Sequence, residues 1–476
     1  VAYQPIGHGQ EDRKPVYDRQ TIREQSQRII RMSLPVFVEQ FFIVLMGVVS
    51  TMLVGNLGPA VVSAVGNIDV INNIMISIFS SLAIGGTILV AQFTGRQELV
   101  SARRASSQAL MASAVLSLVM TLVIFAFQRP LVETLYSGAA AEVQSSSLIY
   151  LRIVLWSYPP LALTTTAFGV MRGNGNMRAP MLISIIMNLG NIVLSSVLIY
   201  GLSINLGFVR LAWAGLGVAG AGYGLTAARL LGFVLAIRML AKSEIAFSLR
   251  PRDFWRIERS LLNGILLLGI PAGFEQLMFN GGKLIVQLFI VQIGTVALAA
   301  NAISNSLAAM ATMPAVAMSL ALTTLVGQSI GRNDREGARR TLSFAVPFSS
   351  VILLGMTLII LPLLQPIVGL FTTDPSTRAE TVRIMVFYLI VQPLFWPTSF
   401  ALASGFRGAG DVRYQLVVTM GSMWILRVGL GFLLTRVFEI GVIGIWIAMS
   451  CDWVMRSLLF VHRLRSGRWL DRRLLP

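Results

Sequence analysis

Four carboxylates stand inside long apolar runs of this chain: Glu39, Asp69, Glu275 and Asp452. An ionisable side chain within a membrane span costs roughly 2.5–3.5 kcal/mol on insertion scales, so each needs a compensating role. Loading and releasing a proton or a sodium ion is one such role; neutralisation in a buried pair is the other. Glu275 has the richest company. Gln276, Asn280, Lys283 and Gln287 recur at helical spacing and form a polar stripe on one helix face, with Gly281 and Gly282 leaving room for close backbone approach. Protonating Glu275 would free or bind Lys283; alternatively, the two form a fixed pair that locks the helix against a neighbour. Glu39 follows Pro35 as Glu275 follows Pro271. Proline removes a backbone donor and bends helices, which makes Pro35 and Pro271 hinge or gate candidates. The two glutamates suit either coupling or an inner gate. Asp69 continues into Asn73, Ser77 and Ser80 on one face, as a cation site open to the exterior or as a solvated rim residue. Asp452 and Arg456, spaced i, i+4 with Arg427 one span away, read as mutual neutralisation.

Such residues need helices that cross a membrane. The 476 residues are 55% hydrophobic and 12% charged, against roughly a quarter charged in soluble domains. Soluble enzymes, disordered scaffolds and disulfide-rich secreted modules are excluded. The net charge of +17 sits in short clusters between apolar runs, a pattern that orients a membrane protein and leaves no domain for a basic groove, so no nucleic-acid partner is expected. The single Cys451 forbids an intramolecular disulfide, and His8 and His462 cannot build a histidine metal site. No catalytic residue, metal or cofactor is therefore expected, and with no Walker motif the chain does not read as an enzyme. Residues 1–28 hold no apolar signal-peptide core.

Twelve runs are long enough to span: 30–55, 64–93, 104–127, 145–168, 179–202, 211–240, 261–292, 297–328, 341–370, 381–404, 414–436 and 440–462. They lack the alternation of barrel strands, so an all-α membrane protein with 12 transmembrane helices is expected. Arginines concentrate in alternate connections, from Arg96, Arg103 and Arg104 through Arg332, Arg339 and Arg340 to Arg463 and Arg465. The positive-inside rule then places both termini in the cytoplasm.

The chain also repeats itself. An offset of 236 maps Leu34-Pro35 and Glu39-Gln40 onto Ile270-Pro271 and Glu275-Gln276, Gln92 onto Gln328, and Gly95-Arg96 onto Gly331-Arg332. An offset of 235 maps Arg172-Gly173 onto Arg407-Gly408 and Arg178 onto Arg413. Six spans per copy give two parallel six-helix bundles related by a pseudo-two-fold axis along the membrane normal, with a central cleft and alternating access by rocking. The expected organisation is a cytoplasmic polar tail (1–28), an N-lobe of six spans (29–240), a cytoplasmic linker (241–260), a C-lobe of six spans (261–463) and a basic cytoplasmic tail (464–476). Two lobes in one chain make a monomer sufficient.

These matched positions, with the Arg172-Gly-Asn-Gly-Asn-Met-Arg-Ala-Pro180 turn and the ending Arg463-Leu-Arg-Ser-Gly-Arg-Trp469, carry a resemblance to the MATE (multidrug and toxic compound extrusion) transporters of the MOP flippase superfamily. It covers nearly everything from Ile29 to Trp469. The resemblance implies export of small organic, often cationic, amphipaths from a bacterial inner membrane in exchange for protons or sodium, with membrane lipid as the other contact. Where the DinF-like branch carries aspartates this chain has Ser50 and Ser195, although the accompanying asparagine matches at Asn191; where the NorM-like branch has an acid in the tenth span, only Trp396 is near. Coupling must then fall to Glu275, Glu39 or Asp69, with Lys283. The cleft candidates are Gln276, Asn280, Gln287, Asn191, Asn73 and Asn305. The alternative is a flippase for a lipid-linked or amphipathic metabolite. Such flippases have strongly cationic cavities, and here the central spans offer chiefly Lys283 and Arg427.

Overall fold

The computed structural model describes residues 19–205, 210–242 and 257–471. Within lipid every backbone polar group must find its partner inside its own segment, so the apolar runs become helices. They are α1 (Arg19–Gly55), α2 (Pro59–Gly95), α3 (Leu99–Leu135), α4 (Ala141–Leu155), α5 (Tyr158–Gly173), α6 (Arg178–Tyr200) and α7 (Val218–Lys242) in the first half. The second half has α8 (Arg259–Ile293), α9 (Thr295–Gly331), α10 (Arg335–Gly369), α11 (Pro375–Gly408), α12 (Val412–Val437) and α13 (Val442–Ser466). Helices α4 and α5 meet at a 52° bend and together make one crossing, which completes the twelve. Pro159 and Pro160 supply no N–H to the turn before them, and the chain breaks there.

Three of the expected boundaries shift. Helix α1 begins ten residues before the start assigned to the N-lobe. Between α6 and α7 the chain forms a two-stranded antiparallel hairpin, β1 (Gly201–Asn205) with β2 (Arg210–Ala214), Gly201 opposite Ala214; the sixth span therefore starts at Val218 instead of 211. The fold is helical throughout its spans, with this small hairpin in one connection. Most of the expected linker, 243–256, lies outside the described residues, as does 1–18 of the N-terminal tail. The expected C-terminal tail is partly packed: α13 runs to Ser466, Gly467 turns the chain in the left-handed region (φ 67°), and Trp469 is buried against Phe406 at 5.6 Å between ring centroids.

The repeat is visible in the helix ends. Helices α2 and α9 span the same number of residues at the 236 offset, and the turns after them both place a residue in the left-handed region, Gln97 and Asn333. In the fourth span of each lobe a difference in count goes with a π-helical turn. Span four runs Ala141–Gly173 and its partner Pro375–Gly408, one residue longer, and Pro397–Ala401 is π-helical. Met423–Leu430 in α12 is a second such stretch. A π turn is the usual way to accommodate one inserted residue in a helix.

The lobes meet along a seam of small residues. Helix α2 packs on α8, and α9 on α1 and α2. A Cβ at Gly85 would strike the Ile265 carbonyl, and one at Gly269 would sit 2.9 Å from that of Ser81. Toward the arginine-rich face the seam ends in a reciprocal clasp. Gln92 Nε2 donates to the Gly408 carbonyl at 3.1 Å, and its repeat partner Gln328 Nε2 donates to the Gly173 carbonyl at 3.2 Å. Gly95 lies so close to the Gln328 backbone, and Gly331 to that of Gln92, that neither position admits a side chain. Pro35 is buried where α1 meets α9, and Pro271 lies in the seam between Gly269 and Gly273. Both sit within unbroken helices.

Candidate functional site

Each lobe encloses a cavity. The N-lobe cavity, about 410 Å³, is lined by α1 (Gly47, Ser50, Thr51), α2 (Asp69, Asn72, Asn73), Tyr150 of α4, α6 (Asn191, Ser195) and α7 (Ala221, Leu225, Arg229). The C-lobe cavity, about 360 Å³, is lined by α8 (Lys283, Val286, Gln287, Ile290), α9 (Asn301, Asn305), Arg427 of α12 and α13 (Ile445, Trp446, Met449). The two are the same place in the repeat. The 236 offset carries Gly47 onto Lys283, Ser50 onto Val286, Thr51 onto Gln287 and Asp69 onto Asn305. It also carries Asn191 onto Arg427, one residue more than the 235 that maps Arg178 onto Arg413, and the π-helical Met423–Leu430 supplies that residue. In the last helix of each lobe an offset of 224 maps Ala221 onto Ile445 and Arg229 onto Trp453.

The charges at these equivalent positions differ. In the N-lobe the accessible Asp69 accepts from Asn72 Nδ2 at 3.2 Å, and Arg229, buried, donates through Nη1 to Ser157 Oγ at 2.6 Å. Among the described residues Asp69 is the only carboxylate on this cavity's wall. Asn191 is buried and accepts from Ser195 Oγ at 3.0 Å, so two of the positions where the resemblance looks for an acid-bearing site do line one cavity, without acids of their own. Among the described residues the C-lobe cavity has two cations and no carboxylate on its wall. Lys283 Nζ lies 4.9 Å from the Phe279 ring centroid and Arg427 Cζ lies 5.6 Å from it, a stacking that the ring quadrupole favours.

The stripe expected on α8 is divided among different partners. Gln276 is exposed on the helix surface. Asn280 Nδ2 donates across the seam to Ser77 Oγ at 3.1 Å, and Gln287 Oε1 accepts from Asn301 Nδ2 at 3.4 Å. The expected Glu275–Lys283 pairing is not formed: eight residues of helix separate the two by about 12 Å along the axis. Glu275 instead accepts from Gln415 Nε2 at 3.1 Å through both carboxylate oxygens. Its repeat partner Glu39, buried, is held by Arg172 Nη2 in an ion pair inside the N-lobe. Asp452 and Arg456 form the expected buried pair, Nε to Oδ1 at 2.7 Å and Nη2 to Oδ2 at 3.0 Å.

The polar lining residues that sequence did not single out are Arg229, Asn72 and Tyr150 in the N-lobe and Asn301 and Trp446 in the C-lobe. Arg229 carries the same signal as Asp69, an ionisable group inside an apolar run, and adds a cation to the Lys283 and Arg427 expected in the central spans. Asn72 was passed over for its neighbour Asn73. Both line the cavity, and Asn72 is the one bonded to Asp69.

A sequence model described as MatE matches residues 35–197 and again 271–433, once in each lobe. The probable multidrug resistance protein NorM of Thermotoga maritima is 25% identical over 460 residues, covering 96% of this chain and 96% of that protein. Among solved structures, an outward-facing multidrug resistance MATE family transporter of the MOP superfamily superposes with a TM-score of 0.82 at 21% identity, covering 93% of this chain and 97% of that one. A MOP superfamily transporter from Pyrococcus furiosus, described as having a binding pocket of reverse polarity, superposes with a TM-score of 0.84 at 20% identity, covering 94% and 97%.

Proposed function

The chain belongs to the MatE family of multi-pass membrane transporters, and from that premise we propose that it is a secondary active exporter of organic, cationic amphipaths coupled to protons or sodium ions. The arginine-rich face is then cytoplasmic, with both termini, in a bacterial inner membrane. The observation that carries the reading is Asp69: an accessible carboxylate in a cavity of about 410 Å³, facing no ion-pair partner among the described residues. Glu39 is tied to Arg172, and Glu275 has both carboxylate oxygens on Gln415, whereas Asp69 accepts from Asn72 through Oδ1 alone, which leaves it the freest of the three coupling candidates.

A carboxylate that binds either a cationic substrate or a coupling ion, but not both, exchanges one for the other. Arg229, fixed on Ser157, supplies a positive field that eases loss of the bound cation from Asp69. The hydrogen bonds between lobes, through Gln92, Gln328 and the Asn280–Ser77 pair, lie in the arginine-rich and middle parts of the spans. That distribution supports a conformation closed toward the cytoplasm and open outward. Rocking to the inward-open form requires both glutamine clasps to part. The relative named for multidrug resistance supports the substrate class.

The test is ethidium movement in proteoliposomes under an imposed proton or sodium gradient, with wild type, Asp69→Asn and Glu275→Gln compared. Asp69→Asn is expected to lower gradient-driven flux by more than about tenfold, roughly 1.4 kcal/mol of coupling, while Glu275→Gln retains most of it. Loss in Glu275→Gln alone would move coupling to the C-lobe. Absence of dye movement under either gradient would overturn the export reading in favour of a flippase.

A further inference from the structure

Lys283 and Arg427 stand on the wall of the C-lobe cavity with no carboxylate beside them, and among the described residues neither forms an ion pair. Arg427 is more than nine-tenths buried, whereas Lys283 is accessible through the cavity. Asp452 on α13 has both carboxylate oxygens bonded to Arg456, so it makes no direct ion pair with Arg427. A buried guanidinium without a counter-charge is costly to keep, and the repeat shows that this one is not required by the fold: the equivalent N-lobe positions are Gly47 and Asn191. The rest of the wall combines apolar side chains, among them Val286, Ile290, Ile445 and Met449, with the amides of Gln287, Asn301 and Asn305. A volume of about 360 Å³ is far larger than a bare inorganic oxyanion needs and lies in the range of small-molecule sites.

We infer that the C-lobe cavity is a binding site for an organic oxyanion, a carboxylate or phosphate carried on an apolar body, held by Arg427 and Lys283. Arginine's planar fork matches two oxygens of such a group, and lysine adds a point charge from a flexible stem. The apolar wall accepts the body. This adds to the export reading without resting on it, because the site is defined by binding and lies in the lobe opposite Asp69. A free metabolite and an anionic lipid headgroup share this chemistry.

The experiment is equilibrium dialysis of radiolabelled 2-naphthoate against the full chain in phosphatidylcholine nanodiscs, with 2-naphthamide and 2-naphthylmethylamine as neutral and cationic matches. The acid is expected to bind at least about tenfold tighter than the amide, and Lys283→Gln to erase most of that preference while Lys283→Arg keeps it. Lys283→Glu should shift the preference toward the amine. Because Lys283 is accessible, these variants leave the packed core alone, and their melting temperatures provide the check. Displacement of 2-naphthoate by phosphatidylglycerol nanodiscs would identify a lipid headgroup as occupant; indifference to that lipid would identify a free solute. Asp69→Asn should lose gradient-driven flux yet bind 2-naphthoate unchanged, which separates this site from the coupling reading. Equal affinity for acid and amide in the wild type, or acid binding untouched by both Lys283→Gln and Lys283→Glu, would overturn the inference.

Discussion

Gly47 and Lys283 hold the same place in the two lobes, as do Asp69 and Asn305, Asn191 and Arg427, and Arg229 and Trp453. Four side-chain differences turn a cavity with one carboxylate and one buried arginine into a cavity with two cations. The backbone around them is the same bundle, and the clasp that closes the seam is the same in both directions. The scaffold and its closure are therefore shared, while polarity is set locally by a few residues on each wall. A carboxylate is useful to coupling only where it can both gain and lose a cation. Beside one arginine already bonded to Ser157 it can do both, whereas beside two unpaired cations it would stay ionised and gain none.

The largest expected effect comes from exchanging the two walls' key residues. In the double variant Asp69→Asn, Asn305→Asp, the carboxylate moves to the equivalent C-lobe position, where Lys283 and Arg427 hold it ionised. Gradient-driven flux should stay more than about tenfold below wild type; recovery would mean that the lobes are interchangeable and the comparison is wrong. Next in size is the buried pair that only the C-lobe has, since Asp452 and Arg456 face Ala228 and Gly232 in the repeat. Arg456→Met leaves Asp452 buried and unpaired and should cost about 3–5 kcal/mol, read as a fall in denaturation midpoint, whereas Asp452→Asn combined with Arg456→Met should cost less. An equal loss in both would assign the cost to packing on Phe279 and Phe400.

The clasp tests the symmetric part. Gln92→Ala and Gln328→Ala should each weaken closure by about 1 kcal/mol, and by similar amounts. Spin-label distances across the arginine-rich face would report the shift, and a marked inequality would show that one lobe dominates closure. The smallest effect is at the start of α11, where Asp374 accepts from Thr377 N at 2.8 Å and Thr377 Oγ1 at 2.6 Å; the matching position before α4 is Ala140, with no side-chain cap. Those hydrogen bonds hold the exposed Asp374 carboxyl below its usual range. A lowered folded-state pKa gives stability that is present above the unfolded value and lost as pH falls through the folded one. The melting temperature should fall slightly further in acid for wild type than for Asp374→Ala; parallel curves would remove the cap from the list of differences between lobes.

Much of this was legible from residue types and spacing. Pro35 and Pro271, Gln92 and Gln328, and Gly95 and Gly331 announced two copies of one bundle, and Asp69, Lys283, Gln287, Asn191, Asn73 and Asn305 all line a cavity. What could not be read was which way each helix is turned toward its neighbours. Glu275 and Lys283 share a helix, yet one meets Gln415 and the other Arg427's cavity. Arg427 itself depends on the π-helical Met423–Leu430. One extra residue rotates all that follows by about 100°, so a constant offset pairs Arg427 with Ile192 instead of Asn191. Arg229 is as visible in the sequence as Lys283, but that it reaches the N-lobe cavity follows only from the packing of α7.

The reciprocal bonds from Gln92 to Gly408 and from Gln328 to Gly173 have the form of an isologous contact, in which one surface recognises a second copy of itself. Such a contact is what a homodimer of six-helix chains would make. In such a homodimer every substitution would appear on both sides at once, and a wall lysine would replace the neutral residue in both protomers. One polypeptide carrying both copies is free of that constraint: each wall can differ while the clasp still pairs like with like.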